Sequence, residues 1–349
     1  MCIRDRFNGA TIVLALAVVL SFAVTQGLDV LLVRLTALHK GWLTAAVGCM
    51  LLFWLFESLL LHVISRSVYR DVPFSSSVHT VMIGQLYSAL TPFSSGGQPV
   101  QLLAMQRDGM DAGGAGSALA LKSLTWQIGL TLYAVAGALY GWRFFSQHVT
   151  GFQPVFALGV AINLAVIAVI AAVTVSPRIT GKITSGVIRL AHAMRLCRRP
   201  EVWNERVERQ MRIFHQSIDA FANKPRVWLA SAVLTALQFL CNYMVVYAIY
   251  RSFGGHAYGA PLLVAAVALV SLVASFIPLP GGSGGAEGAF YVYFGLFFPQ
   301  ADLMLALLLW RMVTYYSAIV IGAVMVLGDR SGRPVARRLQ RVSRDGIRT

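Results

Sequence analysis

Charge is what this sequence has least of. Of 349 residues only 12% are Asp, Glu, Lys or Arg, 57% are hydrophobic, and mean hydropathy is +0.67. So few charges cannot cover the surface of a water-soluble chain of this length. Uncharged runs at Phe7–Leu28, Gly41–Phe56 and Val227–Tyr250 reach or approach the roughly 18–20 apolar residues that cross a bilayer. Alternating ten-residue segments are missing, which excludes a membrane barrel. The expected fold is all-α: a polytopic helical membrane protein.

Other absences narrow the chemistry. The four cysteines (Cys2, Cys49, Cys197, Cys241) show no C-x-x-C spacing, and the seven histidines form no H-x-x-x-H pair. Neither a disulfide framework nor a zinc site is indicated, so no metal and no other cofactor is expected. There is no Ser/His/Asp set, and "GGSGG" (281–285) lacks the Lys-Ser/Thr of a nucleotide-binding loop. Nothing points to independent catalysis.

What charge there is lies in two places. Pro177–Arg226 holds eleven Lys/Arg against four acids, and Gly328–Thr349 holds seven Arg against two, so together they supply +12 of the net +15. In a membrane protein such segments follow the positive-inside rule and lie against anionic headgroups, so lipid and not nucleic acid is the expected partner. Both are therefore placed in the cytoplasm of a multi-pass plasma (inner) membrane protein. Within 177–226, Val207, Met211, Phe214, Ile218 and Phe221 recur at helical spacing opposite Arg and Glu, the pattern of an amphipathic helix on that face.

Fixing those two segments on one side fixes the rest by parity. Full spans are expected at about 9–33, 43–65, 116–141, 153–175, 227–250 and 303–327. Two blocks do not fit as simple spans. Residues 78–114 have short apolar arms around "TPFSSGGQP" (91–99), and residues 257–299 are broken by "PGGSGG" (280–285). Each reads as a re-entrant helical hairpin, one opening to each side, in an inverted-repeat arrangement. The domain plan is a short segment 1–8, a membrane domain 9–328 containing the basic segment, and a basic tail 329–349.

Backbone groups in hydrocarbon must be satisfied, so broken helices survive only inside protein or beside water. Gly-Gly permits positive φ and close approach, and successive N–H groups at a helix start form an anion-binding concavity. Such a tip suits a phosphate. After each tip comes a span with one cation, Lys122 or Arg311. Intramembrane charges mark a site or pair with one another. Lys122 and Arg311 either hold a headgroup phosphate or serve as structural partners of Glu57 and Glu287 that lock the halves together. Candidate substrate contacts are Ser94, Ser95, Gly96, Gly97, Gln98, Lys122, Gly281, Gly282, Gly284, Glu287 and Arg311, with Gln85 and Gln101 adding polar lining.

At these residues the chain resembles a known family. "PGGSGGAE" (280–287) matches the P-G-G-x-G-x-x-E signature of the flippase-like integral membrane family, which includes the transmembrane region of lysylphosphatidylglycerol synthase. "TPFSSGGQP" is similar to that family's first motif, and Arg311 matches the arginine of its last helix. The resemblance spans roughly residues 9–328. It implies movement of an anionic phospholipid or polyprenyl-type lipid between leaflets. In the synthases a soluble aminoacyl-transferase domain follows, but here only about twenty residues follow the last span, so that domain is expected to be absent. Two alternatives stay open. One is the membrane subunit of a phosphatidylglycerol lysyltransferase with its catalytic domain supplied in trans. The other is a non-transporting envelope-assembly scaffold, partnered by a soluble aminoacyl-transferase or glycosyltransferase.

Overall fold

The computed structural model describes residues 36–328 except 70, 183–185, 187–199 and 276–284. The expected first span at 9–33, the tail 329–349 and the second tip, with Gly281, Gly282 and Gly284, lie outside the described residues. Among the described residues there is no strand, in agreement with the all-α reading.

The long uncharged runs become long helices. Helices α1 (Lys40–Val68), α6 (Phe152–Val175) and α8 (Pro225–Ser252) are each long and apolar enough to cross a membrane, as is the stretch Gln300–Gly328. That last stretch comprises α11 (Gln300–Arg311), a π-helical turn (Met312–Tyr316) and α12 (Ser317–Gly328). Helix α4 (Ala112–Tyr140) has 29 residues, which makes it about 43 Å long. Most of its buried positions are Gly, Ala, Ser and Thr, residues that let neighbouring helices approach closely, and Leu119, Leu121 and Leu130 are buried with them.

Helices α1 and α8 run antiparallel along their whole length. The His39 N–H donates to Ser252 O at 3.0 Å at one end, and Lys224 Nζ donates to Ser67 O at 2.6 Å at the other. α4 completes a three-helix core with them: the Trp126 ring lies 6.3 Å from Phe53 and 4.5 Å from Phe239.

The basic segment folds onto this core. Helix α7 (Pro200–Ala222) buries Phe214, Ile218 and Phe221, and the Gly113 N–H at the start of α4 donates to Gln210 Oε1 at 2.7 Å. A Cβ at Gly113 would stand 2.2 Å from the Gln210 carbonyl, which explains the glycine. The amphipathic helix is therefore as expected, but protein rather than bilayer covers its apolar face.

Two hairpins are set into the bundle. The first is α2 (Phe74–Leu90), a 3₁₀ turn (Pro92–Ser94) and α3 (Gly97–Arg107). Its open end lies at the start of α4: Ser76 Oγ bonds Asp108 Oδ2, and Tyr69 Oη donates to Asp111 Oδ2 at 2.9 Å. Burial pushes the Tyr69 phenol above its usual range, so it keeps that proton. The tip reaches well along α4, where Gln98 Nε2 donates to Ser123 Oγ at 2.8 Å.

The second hairpin is α9 (Ala260–Ala274) and α10 (Gly285–Phe294). Its open end lies at the opposite end of α4, which is followed by the short α5 (Trp142–His148). There Tyr258, just before α9, stacks edge-on to Phe297, just after α10, at 5.0 Å, and Phe144 packs on both. The two hairpins thus open at opposite ends of the bundle.

Gly97 fixes how tightly the first hairpin closes. A Cβ there would meet Ser88 Oγ at 2.0 Å and the Gly84 carbonyl at 2.7 Å. Gly97→Ala is expected to destabilise the protein by about 1–3 kcal/mol, the range for overpacking. Ser88→Gly should not restore it, because the backbone clash remains. An unchanged thermal unfolding midpoint in detergent would refute this account of the hairpin.

Candidate functional site

The four expected intramembrane charges pair in the structure. Lys122 Nζ lies 2.7 Å from Glu57 Oε1, with side-chain exposures of 11% and 4%. Gln85 Nε2 donates to the other carboxylate oxygen at 2.7 Å. Arg311 Nη2 lies 2.7 Å from Glu287 Oε1, with exposures of 7% and 26%. Each pair lies within one half of the chain, so neither ties the two halves together.

Helical spacing puts these side chains where they are. Lys122 is one turn before Trp126 on the face of α4 that meets α8, and Glu57 is one turn after Phe53. Glu287 stands in the first turn of α10, where a carboxylate also favours the helix dipole. Arg311 ends α11 between two rings, 5.0 Å from Trp310 and 5.4 Å from Tyr315. The π-helical turn begins at the next residue, a departure from regular helix that often accompanies function.

Tyr315 joins the halves. Its hydroxyl donates at 2.9 Å to the carbonyl of Ala89, two residues before the first tip begins. Through Tyr315 the arginine of the second half is linked to the end of α2, just before the first tip. Sequence reasoning did not single out Tyr315, although its place four residues after Arg311 is a helical-neighbour signal. Ser123 was likewise missed, and only its position beside Lys122 hinted at it.

The first tip corrects one detail. The positive φ falls on Ser94 (53°), and Gly96 keeps ordinary right-handed values. The glycines serve close approach: a Cβ on Gly96 would meet the Thr91 side chain at 2.6 Å. Several tip N–H groups are also used internally. Ser94 donates to Thr91 O, Ser95 to Pro92 O, and Gly96 to Thr91 Oγ1. Gly97 and Gln98 supply the first N–H groups of α3, which have no acceptor within their own helix. The side chains of Ser94, Ser95 and Gln98 are exposed, whereas Gln101 is buried against Gly84. The tip therefore presents hydroxyls, an amide and a helix start, a smaller N–H surface than the sequence suggested.

No group of three or more His, Cys, Asp and Glu that could hold a metal occurs among the described residues. A cavity of about 710 Å³ opens at the far end of α4, lined by Tyr140, Trp142, Arg143 and Tyr258. It is remote from the ion pairs and has the composition of an interfacial aromatic belt.

Long apolar helices around paired, largely enclosed charges define a polytopic helical membrane protein. Its family is equally clear: the chain belongs to the lysylphosphatidylglycerol synthase TM region family, whose sequence pattern matches residues 10–322. It is also similar to a UPF0104 membrane protein of Archaeoglobus fulgidus, 25% identical over 304 residues, 82% of this chain and 87% of that one.

Proposed function

We propose that this protein carries an anionic phospholipid, or a polyprenyl-type lipid phosphate, between the leaflets of the plasma (inner) membrane. The observation that carries the reading is the pair of oppositely opening hairpins with Arg311 at their junction. On this reading both hairpins are re-entrant, each admits a headgroup from its own side, and α7 and the C-terminus are cytoplasmic. Glu287 is the more exposed partner of its pair, so an entering phosphate takes its place on the guanidinium, whose planar fork suits two phosphate oxygens. Glu287 then holds the arginine charge between transport events. Lys122 offers a second cation beside the first tip, held in the same way by Glu57.

The arrangement predicts which side each tip faces. With the four native cysteines replaced, Ser95→Cys and Ser283→Cys should react with membrane-impermeant thiol reagents from opposite faces of oriented vesicles. Reaction of both from one face would refute the inverted hairpins. Transport itself is tested with the full chain in vesicles of defined lipid, following headgroup-labelled phosphatidylglycerol against phosphatidylcholine. Equal rates for the two, or no rate above protein-free vesicles, would remove the proposal.

A further inference from the structure

Ser231, Thr235 and Gln238 lie on α8 at helical spacing, and all three are buried, at 0%, 3% and 0% exposure. Ser231 Oγ, Thr235 Oγ1 and both amide atoms of Gln238 have no hydrogen-bond partner among the described residues. Buried hydroxyls in membrane helices ordinarily return to the carbonyl one turn back, as Thr131 and Thr174 do here. Those of Ser231 and Thr235 do not.

Their place in the fold is specific. Thr235 and Phe239 face Gly129 of α4, where a Cβ would stand 2.8 Å from Thr235 Cγ2 and 2.7 Å from the Phe239 ring. Lys122 is on that same face of α4, two turns earlier. The antiparallel register of α1 and α8, fixed by Lys224–Ser67, His39–Ser252 and the shared contact of Phe53 and Phe239 with Trp126, brings Thr235 level with Glu57. The polar stripe of α8 thus runs past the Lys122–Glu57 pair inside the three-helix core.

Left dry, each of these atoms would lose more than one hydrogen bond is worth, and a buried amide with two donors and two acceptor sites would be wholly unsatisfied. Natural interiors resolve this with bound water, which needs two to four polar partners in a polar pocket. We infer that the α1–α4–α8 interior binds a cluster of ordered water molecules, held by Ser231, Thr235 and Gln238, that hydrates the Lys122–Glu57 pair. Water there lowers the penalty for separating the two charges. The hydration stands on the buried polar atoms alone; only its use in releasing Lys122 to a phosphate rests on the transport reading.

Radiolytic hydroxyl-radical labelling of the full chain in nanodiscs tests it, because radicals formed from bound water oxidise the side chains beside it. Phe239 and Phe145 are both buried, at 2% and 0% exposure, but only Phe239 adjoins the stripe. Phe239 is expected to label at least about five-fold faster than Phe145 if water is bound beside it. Ser231→Ala, Thr235→Val, Gln238→Leu together should abolish that difference without raising the thermal midpoint; Gln238→Leu alone serves if the triple variant does not fold. Labelling of Phe239 no faster than Phe145, or labelling that survives the substitutions, overturns the inference. So does a variant more heat-stable than the parent, the result expected when dry, unsatisfied groups are replaced by apolar ones. Loss of lipid transfer with labelling intact would count against the transport reading and leave the water site standing.

Discussion

Arg311→Gln is expected to slow transfer of an anionic phospholipid by about 10- to 100-fold, since a hydrogen bond to a charged group is worth roughly 1.5–3 kcal/mol. Arg311→Lys should fall between the two. It keeps a positive charge but loses the planar group that stacks between Trp310 and Tyr315 and grips two oxygens at once. Glu287 separates a structural role from a transport role. If Glu287 only holds Arg311 in place, Glu287→Gln should lower folded protein and transfer in proportion. If its departure admits the phosphate, a stable Glu287→Gln protein should show altered transfer with normal yield. Headgroup-resolved transfer in vesicles, normalised to folded protein, reads both. Normal transfer by a well-folded Glu287→Gln, Arg311→Gln protein would take this pair out of the mechanism.

The amino-acid order carried the helices far better than their partners. The absence of charge over long runs was enough to place α1 and α8, because a bilayer leaves a chain few other options. The apolar spacing from Val207 to Phe221 gave α7. It could not say what would cover that face, and the cover turned out to be the glycine-lined start of α4. The same limit applies to the charges. Glu57, Lys122, Glu287 and Arg311 stood out as costly, but which acid meets which base depends on helix rotation and depth, and local pattern records neither. Both pairs proved to lie within their own halves. The tip showed the reverse difficulty: Gly-Gly suggested positive φ, whereas steric crowding by Thr91, Ser88 and Gly84 is what excludes a side chain there. The polar stripe of α8 carried no motif at all, and its meaning came only from burial without partners.

Lys122 should show the largest stability effect. Its pair with Glu57 is enclosed, with exposures of 11% and 4%, so removing one charge strands the other where water cannot replace it freely. Lys122→Met is expected to cost about 3–5 kcal/mol, the range for breaking a buried pair, and to appear as a sharply lowered unfolding midpoint in detergent. Adding Glu57→Gln should restore most of the loss, because the remaining groups are neutral and Gln85 still offers a hydrogen bond to position 57. A bound-water cluster would soften the single variant, so a loss well below this range in a protein whose Phe239 labels strongly agrees with hydration of the pair. The double variant then separates the two roles of Lys122. If Lys122 serves only to neutralise Glu57, a refolded Glu57→Gln, Lys122→Met protein should move lipid at the parent rate. If the ammonium also receives the phosphate beside the Gln98–Ser123 contact, the double variant should fold normally and transfer slowly. A single variant as stable as the parent, with no gain from the second substitution, would show that the pair supports neither fold nor transport.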